Sequence, residues 1–378
     1  MKILHLIYSQ QVAGAEKYLL DLLPGLNKKG IECHLIVISP PDDANKFFGY
    51  VEEMNRIKIK TVLLVCKYKF ISTAQTIHRY LKANNITYIH SHLFKSDLLA
   101  VLIKKLFNKK IYLISTRHGY EEKYLNNFHL LRGKIDYNFY YFLSRYLMKN
   151  INTHVAVSKA MADLFFKLRL TKHPIKFIHH GINLHHLDNF KQLEGSRKTG
   201  FQIISVGRLE PVKGHEFLIK AMPEVLNKFP QVQLIILGNG TEKENLKKLA
   251  VVLGIEKNIS FMGFQPNPFL LITQSDIILL PSLFESFGLV FIEAFALKTP
   301  VIAFDMPAGN EIIDNNETGL LIPVFDIKML AEKMIYLLEN PREREKISLN
   351  AYKRFVEYYN AGRMIDETAA WYRSFISN

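Results

Sequence analysis

The chain has 378 residues, of which 48% are hydrophobic and 22% charged, a composition that excludes a disordered, collagen-like or coiled-coil protein. A single hydrophobic core rarely grows beyond about 250–300 residues, so the length favours two domains. The only cysteines, Cys33 and Cys66, form no C-x-x-C pair, which excludes a disulfide scaffold and favours a reducing compartment.

The formal net charge of +14 comes from the first half of the chain. Residues 1–190 carry 28 Lys and Arg against 13 Asp and Glu, whereas residues 191–378 carry 21 against 22. Between Lys104 and Arg169, basic residues are interleaved with tyrosines and phenylalanines. This mixture indicates either an anion-binding surface, for lipid headgroups, phosphorylated glycolipid or nucleic acid, or a solvated helix face above an aromatic core.

The sequence predicts a cytoplasmic protein. Its N-terminal apolar stretch, Met1–Gln10, is too short and too soon interrupted for the core of a signal peptide. No run of about 18 apolar residues marks a transmembrane helix. Any membrane contact is therefore expected to be peripheral, at the inner face of the cell membrane.

Short β-rich runs alternate with helical patterns through the first half of the chain. Because parallel strands need crossover connections, this alternation predicts a mostly parallel sheet with helices on both faces. The strand candidates are Ile3–Tyr8, His34–Ile38, Thr61–Val65, Ile86–His90, Ile111–Ser115 and Thr153–Val157.

After a polar stretch at residues 187–200, the same alternation starts again and predicts a second doubly wound domain. We expect domains at 1–188 and 189–360, followed by a C-terminal segment at 361–378. Two such domains facing each other would leave a central cleft at the carboxyl ends of their strands. The strand candidates are Gln202–Val206, Gln233–Leu237, Ile259–Met262, Asp276–Pro281 and Pro300–Phe304, and the tail from Ile327 is predicted to be helical.

Two glutamates follow the buried strand pattern Ile277–Leu280 at a spacing of eight positions, Glu285 and Glu293. Between them, Phe287, Gly288 and Leu289 lie where the free N–H groups of a first helical turn would face an anion. Glu293 could present its carboxylate to vicinal hydroxyls. Alternatively, both glutamates are surface charges near a helix N-terminus.

Two cations follow the first strand of the second half, Arg208 and Lys213. Beside an anion site at a helix start, they could neutralise a diphosphate, although loop cations are often only solvated. Gly238 follows the next strand, and Gly263 with Phe264 follows the one after it. We expect all of these residues at one edge of the sheet.

Together these segments resemble glycosyltransferase family 4, the retaining nucleotide-sugar transferases with the GT-B fold. The resemblance spans residues 202–323 and rests on the Gly-Arg-Leu-x-x-x-Lys-Gly loop, the Gly-Asn-Gly and Gly-Phe turns and the Glu-x7-Glu segment. It implies an acceptor-side N-terminal domain, a donor-binding C-terminal domain and a last helix that crosses back to the N-terminal domain.

The first half resembles the same family more loosely. Ala13-Gly14-Ala15-Glu16 is similar to the family's Gly-Gly-x-Glu loop, with Ala13 in place of the first glycine. The resemblance implies that Gly14 approaches the donor phosphate. His118 matches the family's cleft histidine near the donor sugar, although a lone histidine is more often structural.

The resemblance implies a metal-independent hexosyltransferase that takes a nucleoside-diphosphate sugar as donor substrate and needs no cofactor. No Asp-x-Asp metal motif occurs in the chain, so Arg208, Lys213 and the amides near Gly288 would bear the leaving diphosphate. By resemblance, Glu285 binds a donor-sugar hydroxyl and Glu293 the ribose. The acceptor would be a glycan or lipid-linked intermediate of polysaccharide or lipopolysaccharide synthesis.

Four other functions stay open. A sugar epimerase shares the fold and the donor, and a sugar-nucleotide sensor would bind without turnover. A NAD-dependent dehydrogenase is disfavoured because the first turn has Gly14 alone and no G-x-G-x-x-G. Nucleic acid is not expected as a partner, because the basic residues form no recognisable binding motif.

Overall fold

The computed structural model describes residues 1–66, 69–119, 138–173, 175–183 and 200–375. The chain forms two compact units, one of Met1–Gly181 with Ala361–Asn378 and the other of Ile182–Asn360. The boundary expected between residues 188 and 189 lies outside the described residues.

The first unit contains a seven-stranded, wholly parallel sheet in the order β3-β2-β1-β4-β5-β6-β7. Its strands are β1 (Lys2–Tyr8), β2 (Glu32–Ser39), β3 (Lys60–Val65), β4 (Tyr88–His92), β5 (Tyr112–Arg117), β6 (Thr153–Ala156) and β7 (Lys176–Phe177). Its helices are α1 (Gly14–Lys28), α2 (Phe48–Arg56), α3 (Phe70–Ala83), α4 (Phe94–Leu106), α5 (Phe139–Asn150) and α6 (Lys159–Lys167).

Both faces of this sheet are covered, as the apolar strands predict. Ile3 and Ile7 pack into one core with α1, whereas Leu4 and Leu6 pack into a second core with α3 and α4. Successive side chains of a strand point to opposite faces, so one strand supplies both cores. A strand covered on both faces does not show the regular alternation of apolar and exposed polar residues that marks a half-exposed sheet.

The C-terminal helix, Ala361–Ser374, belongs to the first unit and packs against α1. Its buried residues Met364, Trp371 and Tyr372 join the core that contains Ile3. The expectation that the last helix returns to the N-terminal domain is confirmed.

One predicted strand is shifted along the chain. The pattern predicted a strand at residues 86–90, but β4 covers Tyr88–His92. The Ile86 N–H bonds to the Leu81 carbonyl at 2.9 Å, closing the end of α3, and Asn85 has a positive φ of 53°. The strand therefore begins later and runs through His92.

The second unit contains a six-stranded parallel sheet in the order β10-β9-β8-β11-β12-β13. Its strands are β8 (Gln202–Val206), β9 (Gln233–Leu237), β10 (Ile259–Gly263), β11 (Ile277–Leu280), β12 (Val301–Phe304) and β13 (Leu320–Ile322). The helices from this unit to the end of the chain are α7 (His215–Lys228), α8 (Lys243–Val252), α9 (Phe269–Thr273), α10 (Leu289–Ala296), α11 (Pro307–Ile312), α12 (Ile327–Glu339), α13 (Pro341–Tyr358) and α14 (Ala361–Ser374).

The strand pattern found five of these six strands and missed β13. Leu320–Ile322 is only three residues long, too short to show a period. The helical tail is confirmed from Ile327 to Ser374, with Pro341 in the first turn of α13 and short breaks between the helices. Within the described ranges, no helix is both long and apolar enough to cross a bilayer.

Candidate active site

Each sheet has one point at which the strand order reverses. In the second sheet β8 lies between β9 and β11, and in the first sheet β1 lies between β2 and β4. Loops that leave the carboxyl ends of the two central strands diverge there, because their helices go to opposite faces, and this opens a crevice for ligands. Lys213 follows β8 and Glu285 follows β11 in the second unit, and Gly14 follows β1 in the first.

In the second unit, the loops after β8 and β11 are joined by a nearly buried ion pair. Lys213 Nζ lies 2.7 Å from Glu285 Oε1, and the two side chains are only 15% and 17% exposed. The Ser282 hydroxyl donates to the same carboxylate oxygen at 2.8 Å. The Leu283 N–H donates to the Val212 carbonyl at 2.8 Å. Lys213 and Glu285, which were predicted separately and lie 72 positions apart, are therefore in direct contact.

Arg208 lies on the same loop as Lys213, but its side chain is exposed. The backbone beside it is held by the Leu209 N–H, which donates to the Asn239 carbonyl at 2.9 Å. The backbone of the turn is therefore fixed, and Arg208 is exposed at its surface.

Position 238 requires glycine because the backbone of Gly207 approaches it closely. It has a φ of 137°, and a Cβ built there would lie 1.9 Å from the Gly207 carbonyl oxygen. The Gly238 N–H donates to the Gly263 carbonyl at 2.8 Å, which ties the ends of β9 and β10 together. Phe264, directly after Gly263, is exposed.

Gly288 forms the N-cap of α10 in the left-handed region, with a φ of 92°, and no side chain caps this helix. A Cβ at Gly288 would lie 2.4 Å from the ring of Phe291. Leu289 thus begins a helix whose N-cap residue has no side chain to accept hydrogen bonds from the first-turn N–H groups. Phe287 and Glu293 are buried, so Glu293 is not a surface charge.

His215 was missed by the sequence analysis. It is the first residue of α7 and is buried, and neither of its ring nitrogens has a hydrogen-bond partner among the described residues. Burial, and to a lesser degree the charge of Lys213, lowers the pKa of His215 to about 4. Its position two residues after Lys213 was the available signal, since that loop was already selected.

In the first unit, Gly14 is the first residue of α1 and Ala13 is its N-cap. The Ala13 backbone is extended, with φ −136° and ψ −154°, so alanine fits without strain in place of the family's glycine. The Ala13 N–H donates to Glu16 Oε2 at 2.8 Å. Burial raises the pKa of Glu16.

His118 follows β5 and is joined to two histidines that the sequence analysis did not assign. His118 Nε2 lies 3.0 Å from His92 Nδ1, and His92 Nε2 lies 3.0 Å from His5 Nδ1. Burial lowers the pKa of His118 and of His5 to about 3, so these imidazoles are neutral at pH 7. Beside them, Asp97 and Arg117 form a buried ion pair with an O···N distance of 2.9 Å.

Among the described residues, His5, His90 and His92 form a cluster whose ring nitrogens lie within 4.8 Å of one another. The rings of His90 and His92 are stacked, with centroids 4.4 Å apart. His90 also bonds through both nitrogens, to the hydroxyls of Tyr372 and Thr116. Stacked rings do not aim their nitrogens at one point, so this cluster suits hydrogen bonding better than metal coordination.

The protein families that match this sequence are Glycosyltransferase Family 4, over residues 12–186, and Glycosyl transferases group 1, over residues 188–354. The chain belongs to this glycosyltransferase family. The Glycosyl transferases group 1 match includes all the candidate residues of the second unit. Gly14 and His118 lie within the Family 4 match.

Curated relatives in the family are similar to the chain over different lengths. The alpha-D-kanosaminyltransferase of Streptomyces kanamyceticus is 29% identical over 173 residues, which are 45% of each chain. The chain thus matches about half the length of this relative. An N-acetylgalactosaminyltransferase of Campylobacter jejuni, named for a diphospho-undecaprenol substrate, is 26% identical over 92% of this chain and 93% of its own.

Among solved structures, HepE of Anabaena in complex with UDP and glucose has a TM-score of 0.80 to this family member. The similarity covers 99% of this chain and 100% of HepE, at 20% sequence identity. With its two parallel sheets and its returning C-terminal helix, the chain has the GT-B fold, as the sequence predicted.

Proposed function

We propose that the chain is a retaining glycosyltransferase that moves a hexose from a nucleoside-diphosphate sugar to an acceptor hydroxyl. The observation that carries this proposal is the Lys213–Glu285 pair at the strand-order reversal of the second sheet. It combines a cation for the diphosphate with a carboxylate for sugar hydroxyls.

The departing diphosphate needs positive groups that meet its developing charge. We assign this role to Lys213, Arg208 and the N–H groups at Gly288 and Leu289. In this proposal the cations replace a metal ion, and no cofactor takes part. Because Lys213 is paired in the structure, the diphosphate must share or displace Glu285, which keeps its hydrogen bond from Ser282 at 2.8 Å.

We assign the sugar and nucleoside to the remaining residues of the same edge. Glu285 would accept hydrogen bonds from a donor-sugar hydroxyl, and Glu293 from the ribose. The backbone at Gly238 and Gly263 and the rings of Phe264 and Phe287 would line the donor site. HepE, which has the same fold, was solved with UDP and glucose, so uracil is the first base to test.

The roles of Gly14, beside the donor phosphate, and of His118, near the donor sugar, are part of the proposal. In the transfer step, the bond between the anomeric carbon and the phosphate oxygen breaks. The acceptor oxygen bonds to that carbon from the same face, and the departing phosphate oxygen accepts the acceptor's proton. The product therefore keeps the donor's anomeric configuration.

A lipid-linked acceptor is supported by the surface of α5. Three of its aromatic residues, spaced for one helix face, are exposed: Phe139 by 80%, Phe142 by 57% and Tyr146 by 51%. Arg145 and Lys149 lie on the same helix. An apolar stripe beside basic residues suits the interface of an anionic membrane, so we propose peripheral contact at the cytoplasmic face.

A thermal-shift panel of UDP, GDP, ADP and their sugars tests the donor assignment. A ligand at 100 times its dissociation constant stabilises the folded chain by about 2.7 kcal/mol. We expect one nucleotide family to raise the melting temperature, and no shift with any of them would contradict the proposal. Product analysis by NMR then separates transfer with retention from epimerisation, and the absence of turnover would indicate a sensor.

Co-sedimentation with liposomes tests the membrane contact. We expect the chain to sediment with vesicles that contain anionic lipid, and less so when Phe139 and Phe142 are replaced by serine. Replacing the exposed Val251 and Val252 of α8 by serine is the matched control. Sedimentation that does not depend on anionic lipid or on the two phenylalanines would refute this contact.

A further inference from the structure

Three imidazoles, those of buried His5 and His92 and half-buried His118, form a continuous histidine chain across the first sheet. His5 lies on β1, His92 ends β4 and His118 follows β5. Both hydrogen bonds of the chain are 3.0 Å long, from His5 Nδ1 to His92 Nε2 and from His92 Nδ1 to His118 Nε2. His92 thus uses both of its ring nitrogens within the chain.

The hydrogen bonds of the histidine chain all run in one direction, because each neutral imidazole carries one N–H group and one lone pair. If His5 donates to His92, then His92 must donate to His118, and His118 carries its own proton on Nδ1. If His118 donates instead, both bonds reverse and Nδ1 of His118 presents a lone pair. One arrangement converts into the other when a proton moves across each hydrogen bond, one leaves His118 Nδ1 and one is gained by His5 Nε2. The net charge does not change.

Burial keeps these rings neutral, as such a chain requires. It lowers the pKa of His5 and of His118 to about 3, and that of His92 falls well below its usual value. For His92, the neighbouring histidines add to the effect of burial. Three neutral rings carry three protons, one in each hydrogen bond and one on an outer nitrogen, so only neutral rings leave a choice of direction.

The outer ring nitrogen at each end of the histidine chain is available for a further hydrogen bond. His5 Nε2 and His118 Nδ1 are buried and have no hydrogen-bond partner within the described part of the protein. The internal hydrogen bonds are therefore equally satisfied in either direction. A group that meets His118 Nδ1 would select the direction, since a hydroxyl can donate or accept whereas a carbonyl only accepts.

The rings around His118 restrict its orientation. Tyr18 packs edge-on against it with centroids 5.1 Å apart, and His180 does so at 5.4 Å. With Nε2 engaged by His92, these contacts leave Nδ1 as the atom that can meet a ligand.

We propose that His5 and His92 are positioning residues for His118, which fix its ring through Nε2 and couple the proton on its Nδ1 to their own tautomers. This proposal extends the proposed function, in which His118 contacts the donor sugar. It assigns no direct contact with substrate to His5 or His92.

NMR of the full chain with 15N-labelled histidine tests the coupling directly. Correlations between ring nitrogens and carbon-bound protons report which nitrogen carries the proton, and single histidine variants assign the signals. We expect His118 to be neutral at pH 7 and its tautomer populations to change in His5→Phe. His5→Asn places an amide near the position of Nδ1 and is expected to restore much of the original signal.

The matched control is His34→Phe. His34 is also buried, lies on the adjacent strand β2 and bonds through both nitrogens, to Tyr80 and Glu32, but it has no bond to the chain. We expect it to leave the His118 signals unchanged. Identical His118 signals in the parent and in His5→Phe would overturn the proposal, and so would an equal change in His34→Phe.

Kinetics separate this inference from the proposed function. If the donor is turned over, we expect His5→Phe to lower kcat by about tenfold with little change in the donor KM, because the ring is misplaced rather than lost. An unchanged kcat would overturn the positioning role while the transferase assignment stands. If the parent protein turns over no nucleotide sugar, the proposed function fails. The NMR experiment then still decides whether the tautomer of His118 is coupled to those of His5 and His92.

Discussion

Replacing Lys213 by methionine tests the proposed site most directly. The substitution keeps most of the side-chain volume and removes the positive charge that lies 2.7 Å from Glu285. Glu285 still accepts the hydrogen bond from Ser282, so the fold loses one ion pair without leaving the carboxylate unpartnered. We therefore expect the variant to fold and to fail in catalysis.

The size of the effect follows from the burial of the pair. Two unit charges about 4 Å apart interact by about 4 kcal/mol at an effective dielectric constant of about 20. Part of this attraction is offset because the diphosphate competes with Glu285 for the ammonium. A loss of about 3 kcal/mol of transition-state stabilisation remains, which is roughly a hundredfold in kcat/KM.

The assay is release of nucleoside diphosphate from the donor, with nucleotide binding measured by thermal shift. Lys220→Met is the matched control, because Lys220 also pairs with a glutamate at 2.7 Å but its side chain is 39% exposed on the middle of α7. We expect that variant to keep the parental rate. A change below threefold in Lys213→Met, at a parental melting temperature, would refute the role of Lys213.

Three further predictions concern stability. Gly238→Ala should lower the free energy of unfolding by about 3 kcal/mol or more, because the added Cβ would lie 1.9 Å from a carbonyl oxygen. Gly254 also has a positive φ, but a Cβ added there meets nothing within 4 Å, so Gly254→Ala should lower it by only about 1 kcal/mol. Urea unfolding measures both losses. Asp97→Ala should cost about 3–5 kcal/mol, because it leaves its arginine partner buried without a counter-charge. Because burial lowers the pKa of His5 and His118 from 6.5 to about 3, the unfolded chain binds protons that the folded chain excludes, so the free energy of unfolding should fall as the pH drops from about 6.5 toward about 3.

Each of these stability predictions has a clear contrary result. Equal losses in the two glycine variants would show that the carbonyl contact does not decide the cost. A loss below 1 kcal/mol in Asp97→Ala would mean that the arginine finds another partner or reaches water. A free energy of unfolding that stays constant between pH 6.5 and pH 5 would show that the buried histidines take up protons without unfolding.

The parallel sheets could be predicted from the sequence because their strands are rich in apolar residues and alternate regularly with helical patterns. Ile277–Leu280 is buried on every side, as its uninterrupted apolar run indicates. Short strands at the sheet edges could not be predicted in the same way. β7 has two residues and β13 three, so they depend on pairing with a neighbour rather than on their own pattern.

The candidate residues could be selected from the sequence, but most of their contacts could not. Loop residues after parallel strands share an edge of the sheet, which is sufficient to group Lys213 with Glu285. Their ion pair depends further on β8 and β11 being neighbours, and this order is a property of the whole sheet. His215 and His5 carried no recognisable motif, because a buried imidazole acquires its chemical role from the residues that the fold places around it.

The strand order also explains why the two predicted roles cannot be independent. Lys213 follows β8 and Glu285 follows β11, the two strands between which the crevice of the second sheet opens. A charge placed at this point by either loop lies within reach of the other loop, so Lys213 and Glu285, to which we assign the phosphate and the sugar hydroxyls, form an ion pair with each other. The pair neutralises both charges where they are nearly buried, at 15% and 17% exposure, and so avoids leaving either charge alone in a poorly solvated site. In the proposed function, donor binding therefore replaces the contact between Lys213 and Glu285 with contacts to the diphosphate and the sugar. The free energy of binding depends on how much stronger the new contacts are than the ion pair.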